Sequence, residues 1–391
     1  MNKGVVFQSI FNGLVLIIVA ISSIAIAGLL GPSDFGKYAT LQAISAMLIP
    51  LVTLRLETRI AICPSTKQLA RLLSSAATST VIFVFIGLLF TPVAAQFFDW
   101  RLVVAVIVLA ASSAMLETLI NCYSYQGKLW EIIKYRGVRQ SFPALVALLC
   151  AFLFNDVVIT VFALVVSTFV CLLILLSPMR HMLSLSMGVW RDILSEHSSG
   201  LRASLALGGL NAIWLNGLLP LMNVMGLSYL AGQYALAQRL MNAPLGVVAL
   251  SVRSVLLRGG NGLHKEGRDI AIKAALLFFI AILLTGILYW AIYIQTLILF
   301  PEEWKLDKLL FIAAVFFMAC SFAVGSVSVL GIRLQDEWFL ACWQLVFLVI
   351  WAVILIYLPS DLAFVYMLAI GGVGYWILLI RWVTLSSNQH G

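Results

Sequence analysis

The sequence predicts an all-α integral membrane protein of about twelve transmembrane helices, built as two six-helix bundles related by a parallel internal repeat. Three observations predict it. Of 391 residues, 63% are hydrophobic and only 10% charged, with mean hydropathy +1.08, whereas a soluble domain carries about 25% charged residues. The apolar residues fall in runs of roughly 20, the length that crosses hydrocarbon as a helix. One phrase is also written twice, as "GKYATLQ" at 36–42 and "GQYALAQ" at 232–238.

The apolar runs lie near 8–30, 37–60, 73–93, 102–123, 139–155, 157–177, 203–226, 232–256, 274–299, 308–331, 339–358 and 362–383. A helix satisfies its own backbone hydrogen bonds in lipid, and none of the runs alternates like a membrane barrel strand. The first is longer than the apolar core of a signal peptide and is read as an uncleaved span. Only Asn155 and Asp156 separate the fifth from the sixth. Between the sixth and seventh lies "PMRHMLSLSMGVWRDILSEHSSGLR" (178–202), with Met, Leu, Val and Trp among Arg, Asp and Glu. This pattern fits an interfacial amphipathic helix. The expected organisation is an N-terminal bundle over 1–177, a cytoplasmic interfacial linker over 178–202 and a C-terminal bundle over 203–391. The other loops are short, "FPEEWKLDK" (300–308) being typical, so activity is expected within the bilayer.

Charge sets the orientation. With both termini inside, the cytoplasmic segments hold 19 of the 24 Lys and Arg residues, the outer loops hold Lys37, Arg101, Lys305 and Lys308, and Arg239 falls inside a span. That asymmetry follows the positive-inside rule. It accounts for the net charge of +8 through contact with anionic lipid, without nucleic acid. The six cysteines lack a CxxC spacing and the four histidines are scattered, so no disulfide framework, metal site or cofactor is expected.

At an offset of 196 residues, Gly36, Tyr38, Ala39 and Gln42 match Gly232, Tyr234, Ala235 and Gln238. Gly13 matches Gly209, and Leu54 matches Leu250. Each copy opens the second helix of a six-span half. Six is even, so both halves enter the membrane the same way, as in transporters built from parallel repeats. "GPSDFG" (31–36) reads as a turn in which Pro32, Asp34 and Gly36 start the next helix. Tyr38 and Tyr234 are expected at the outer headgroup level. Gln42 and Gln238 lie deeper, about two turns into the hydrocarbon.

"AGLLGPSDFGKYATLQAI" resembles the opening of the Wzx-type polysaccharide-transporter flippases for O-antigen and related lipid-linked oligosaccharides. These belong to the multidrug/oligosaccharidyl-lipid/polysaccharide exporter superfamily. "YLAGQYALAQRLMNAPLGV" (229–247) is similar to their eighth helix. The resemblance implies two bundles around a cavity that alternates between faces, and a substrate of sugar units on undecaprenyl pyrophosphate. It also implies the bacterial cytoplasmic membrane as the location, with membrane lipids, and an O-antigen polymerase and chain-length regulator, as partners.

The intramembrane polar residues are candidates for that substrate, because charge inside the bilayer is costly and is kept for a use. Arg239 lies about 12 Å into the eighth span, beside Gln238 and Asn242, a cationic and amide-rich patch suited to a pyrophosphate or sugar hydroxyls. Arg55 and Arg59, four apart at the inner end of the second span, together with Arg253, would form a basic mouth. Asn211, Asn216 and Asn223 on the seventh span either line the sugar path or bond helices together, and Gln42 is added from the repeat. Glu117, near the inner end of the fourth span, is a candidate for a coupling proton or for a pair with Arg55 or Arg59. Flippases for the related peptidoglycan precursor carry a further arginine in the first helix. Here that span has no arginine, its polar residues being neutral ones such as Asn12, Ser22 and Ser23, which favours a neutral or weakly charged glycan. Two other classes compete. A cation-coupled multidrug exporter would want carboxylates in the first and seventh spans, which have none. A membrane O-antigen polymerase or acyltransferase would want a long outer loop, a nucleophile motif or a metal cluster.

Overall fold

The computed structural model describes residues 3–60, 63, 65–96, 99–126, 129–196, 198–241, 304, 307–327 and 337–388. The described residues form helices and turns, without strands. In chain order the helices are α1 (Lys3–Val52), α2 (Leu56–Ile60), α3 (Thr66–Ala94), α4 (Trp100–Tyr125), α5 (Leu129–Phe154) and α6 (Val157–Leu176). A 3₁₀ turn (Ser177–Met182) leads to α7 (Met187–Glu196), α8 (Ser198–Asn216) and α9 (Leu218–Val224). The helix over 228–241 is α10. Then come α11 (Lys308–Val327), α12 (Glu337–Tyr357) and α13 (Ser360–Asn388). The predicted runs map onto these helices in order. The eighth is described as far as 241, and the ninth lies outside the described residues. Seven of the described helices are long and apolar enough to cross a membrane, or eight if the bent α8–α9 pair is one span.

Three breaks in helix continuity position the candidate site. α1 holds 50 residues, about 75 Å if straight and more than twice the hydrocarbon thickness of about 30 Å. Gly31, at φ 74° and ψ 169°, divides it into two arms, and Pro32 starts the second in the first-turn position proline prefers. The second break corrects the expected span over 37–60. Its helix stops at Val52, and Leu54 (φ 51°) and Arg55 (φ 62°) are left-handed before α2 resumes. Neither is glycine, so each costs about 1–2 kcal/mol. The freed backbone is recaptured locally, by Leu56 N–H on Thr53 O (3.1 Å) and Thr58 N–H on Arg55 O (3.2 Å). The third break, at Gly217, bends α8 against α9 by 57°.

Residues 1–15 and 37–223 form one compact unit, and residues 16–36 and 224–391 the other. In the first, α3 packs on α4, α4 on α6, and α5 on α6. Leu69, Leu72, Leu73, Leu116, Leu119 and Ile120 form its core. The linker is docked on α3, where Trp190 Nε1 donates to Ser79 Oγ (2.7 Å), Ser74 Oγ donates to Met182 O (3.2 Å), and Ile193 is fully buried. The outward faces are apolar. Phe85, Phe90 and Phe152 are 63%, 64% and 70% exposed, an arrangement that only lipid tolerates in such number.

In the second unit α11 and α12 pack on α13. The rings of Phe317, Trp343, Trp351 and Tyr375 interlock, and Trp351 Nε1 donates to Met367 O (2.9 Å). The repeated phrase has its structural meaning here. A Cβ on Gly36 would collide with Ser228 O, and a Cβ on Gly232 would collide with Pro32 O. Positions 36 and 228 become 232 and 32 under the offset of 196. The contact is therefore reciprocal, as across a two-fold axis, with two backbones too close for any side chain. Tyr38 and Tyr234 are each 1% exposed, so their rings meet protein and not lipid headgroups. Each lies two residues past a glycine at backbone contact, where packing leaves no opening. Gly232→Val should lower stability by about 1–3 kcal/mol through overpacking. Thermal melting in detergent checks this, with Gly188→Ala, whose Cβ would meet only Ser186 Oγ at 3.8 Å, staying at the wild-type value.

Candidate functional site

Among the described residues, the candidate arginines Arg55 and Arg239 each stand in a polar cluster, one in each unit. In the first unit the break at 53–55 holds Arg55. One guanidinium nitrogen is 3.9 Å from Glu57 Oε1. Thr53 Oγ1 donates to Glu57 Oε2 at 2.5 Å, and Asn121 Nδ2 of α4 donates to the Glu57 carbonyl at 3.2 Å. Glu57 is buried, at 6% exposure, so Arg55 and Thr53 hold a carboxylate that would otherwise be costly, while Asn121 ties the backbone of α2 to α4. The Arg55 Nε is buried and has no hydrogen-bond partner among the described residues. α8 closes over it, since a Cβ on Gly208 would lie 2.8 Å from Nε and 3.1 Å from Cζ.

Arg55 and Arg59 do not share a helical face as their spacing suggested, because Arg55 is left-handed and outside α2, while Arg59 lies in the last turn of α2, half-buried. Glu117 pairs with neither. Its carboxylate accepts from Arg139 Nη1 of α5, and Arg136 also acts on it electrostatically. The expected fifth span began only at residue 139, but α5 begins ten residues earlier, at Leu129, and carries these arginines as helix residues.

In the second unit Arg239 of α10 donates from Nη1 to Ser23 Oγ at 2.8 Å, and its guanidinium stands over the Phe35 ring at 5.2 Å, within cation–π range. Both partners belong to α1. The charge that the first span lacks in its own sequence is thus brought to it from α10. Phe35 in turn packs against Trp304, with ring centroids 6.2 Å apart. Nearby on α10, Gln233 Oε1 accepts from the Asp307 N–H at 3.0 Å. Gln238 is half-buried. Asn242 and Arg253 lie outside the described residues.

The remaining candidates serve different ends. Asn211 is exposed on α8. Asn216 Nδ2 donates back to Ala212 O at 3.0 Å, across the turn before the Gly217 break. Asn223 donates to Thr40 Oγ1, which itself donates to Leu219 O at 3.2 Å, so Asn223 ties α9 to α1. Gln42 is half-buried, and Ser45 Oγ donates to its carbonyl. Sequence reasoning missed Thr53, Glu57, Gly208, Phe35 and Arg139 as site neighbours. Glu57 was legible as an acid between two arginines, and Ser23 as a polar residue in an apolar span. Nothing in the sequence marks Gly208 from the glycine beside it.

No protein-family model matches the sequence, and no curated protein matches it. Solved structures do match. The MATE multidrug transporter DinF-BH is similar over 97% of this chain and 95% of its own, at 14% identity and TM-score 0.63. The lipid II flippase MurJ, in an inward closed conformation, is similar over 98% and 86%, at 11% identity and TM-score 0.60. The eukaryotic MATE transporter AtDTX14 follows at 14% identity and TM-score 0.57, over 99% and 96%. This chain has the fold of those membrane transporters. At such identities the likeness extends to architecture and not to substrate.

The Arg139–Glu117 pair spans two helices and is only partly exposed, at 22% and 38%. A double-mutant cycle with Arg139→Met and Glu117→Gln should return a coupling of about 1 kcal/mol by denaturant unfolding in detergent. A coupling near zero would mean that the pair adds nothing to the α4–α5 contact.

Proposed function

We propose that the chain is a flippase that moves polyprenyl-pyrophosphate-linked oligosaccharide, an O-antigen or similar surface-polysaccharide repeat unit, from the inner to the outer leaflet of the bacterial cytoplasmic membrane. The observation that carries the reading is Arg239, a cation deep in a span, held against the first helix by Ser23 and Phe35. A lipid-linked glycan brings a diphosphate and many hydroxyls, and a fixed guanidinium with amides beside it suits both. Arg55, at the break over 53–55, would be the entry cation. One structural neighbour, MurJ, is named for flipping a lipid-linked substrate; another, DinF-BH, is named for drugs, and fold does not choose between them. The carboxylates favour the glycolipid, since Glu57 and Glu117 each sit against an arginine, which leaves neither poised for a cationic drug.

In this reading both termini are cytoplasmic, as the basic residues favour. The Arg55 cluster then lies at the cytoplasmic mouth, and the reciprocal crossing of Gly36 and Gly232 lies at the outer face. The diphosphate is captured by Arg55 and Arg59, the glycan passes Arg239 and Gln238, and the polyprenyl tail remains in lipid. The two halves alternate between faces.

Arg239→Ala should abolish surface polysaccharide at unchanged protein abundance, while Arg239→Lys keeps part of it, because the charge survives and the bidentate fork does not. Immunoblots of polymer and protein from the same cells give both readings. Normal polymer with Arg239→Ala would remove Arg239 from the substrate path.

A further inference from the structure

The Arg55 side chain is held in a way its own helix does not require. Its backbone is left-handed (φ 62°), one nitrogen faces Glu57 at 3.9 Å, and its Nε is buried without a hydrogen-bond partner among the described residues. A third of the side chain remains exposed, at 32%. Gly208 of another helix, α8, lies against the buried edge. A Cβ on Gly208 would stand 2.8 Å from Nε, 3.0 Å from Cδ and 3.1 Å from Cζ. Any other amino acid there would push the guanidinium or α8 aside. The next residue, Gly209, has nothing within 4 Å of a Cβ, so a side chain at 208 would displace the guanidinium and one at 209 would not.

A guanidinium binds phosphoryl oxygens best through two parallel N–H groups. In Arg55 one such edge includes Nε–H, and that is the edge α8 conceals. A buried donor left unmade is a standing cost, which an anion would remove once α8 withdrew. We propose that Gly208 is a part of the anion site, a cover that α8 lays over the Nε edge of Arg55 and that a diphosphate displaces. This rests on the flippase reading, in which Arg55 meets the diphosphate. Diphosphate and α8 compete for one edge, so capture at Arg55 releases α8. α8 runs unbroken from Gly208 to Asn216, where the 57° bend begins. Release of the cover is thereby transmitted along the seventh span to its break. Gly208 sets the strength of capture without contacting the substrate through a side chain.

The test uses the full chain in nanodiscs, inorganic pyrophosphate as the probe, and titration calorimetry. G208A uncovers the Nε edge and should bind pyrophosphate about fivefold tighter than wild type. G209A should bind as wild type, and R55A should lose at least about tenfold. On the wild-type protein, pyrophosphate should speed amide exchange across residues 204–212, a reading that needs no variant to fold. Binding by G208A equal to or weaker than that of G209A, or exchange across 204–212 unchanged at saturating pyrophosphate, overturns the cover while leaving Arg55 as the anion contact. Unchanged binding by R55A overturns the entry role of Arg55 and the cover with it.

Discussion

In the hydrocarbon core a backbone amide has no water to bond, so a chain that crosses it must stay helical or recapture every group that a break sets free. The rest of this structure follows from that constraint. Continuous helices such as α3, α5 and α6 turn phenylalanines to lipid and keep small and polar residues for helix contacts. The breaks are few, and each is compensated. Gly31 uses the one residue type at ease at positive φ. At Leu54 and Arg55 the chain accepts left-handed geometry without glycine, and the carbonyls of Thr53 and Arg55 are taken up at once by the next turn. At Gly217 the bend keeps a bond from Gly217 N–H to Ile213 O, 2.7 Å.

Charge is placed where the helices are interrupted or tied together. Arg55 stands in a break and faces Glu57, which Thr53 of the break and Asn121 of α4 hold in turn. Arg239 stands on an intact helix but is held by the arm of α1 that precedes Gly31 and by Phe35 just after it. Strain retained at a site is a familiar companion of function, and here it coincides with an arginine packed against a glycine. The glycines at 36 and 232 explain why one phrase is written twice. Each copy keeps a glycine because the other copy's backbone occupies the space, a reciprocal requirement that preserves two short matches in an otherwise diverged pair of halves.

Much of this was legible. Run lengths marked the helices, because apolar stretches near 20 residues have one use in a membrane chain. Asn155 as the divider of α5 and α6 was legible too, and it adopts φ 45°, a conformation asparagine tolerates. Arg239 was visible as a charge with no loop near it. Other features were not. The start of α5 was placed ten residues late because hydropathy follows polarity, whereas Glu131, Lys134, Arg136 and Arg139 are good helix formers. That hid the partner of Glu117. The break at 53–55 has no glycine or proline within it, so no local signal announced that Arg55 and Arg59 part company. The burial of Tyr38 and Tyr234 is a matter of tertiary packing, which a rule for interfacial tyrosines does not contain. Gly208 differs from Gly209 only in which side chain lies opposite.

The central claim concerns what crosses the membrane, and the most direct measurement is of the lipid left behind. Polyprenyl-linked glycans extracted from cells lacking this protein, with spheroplast labelling to assign the leaflet, decide it. The account predicts complete repeat units on undecaprenyl pyrophosphate accumulating on the inner leaflet, with surface polymer lost. Single units still reaching the outer surface unpolymerised, or no accumulation together with altered drug tolerance, would contradict it.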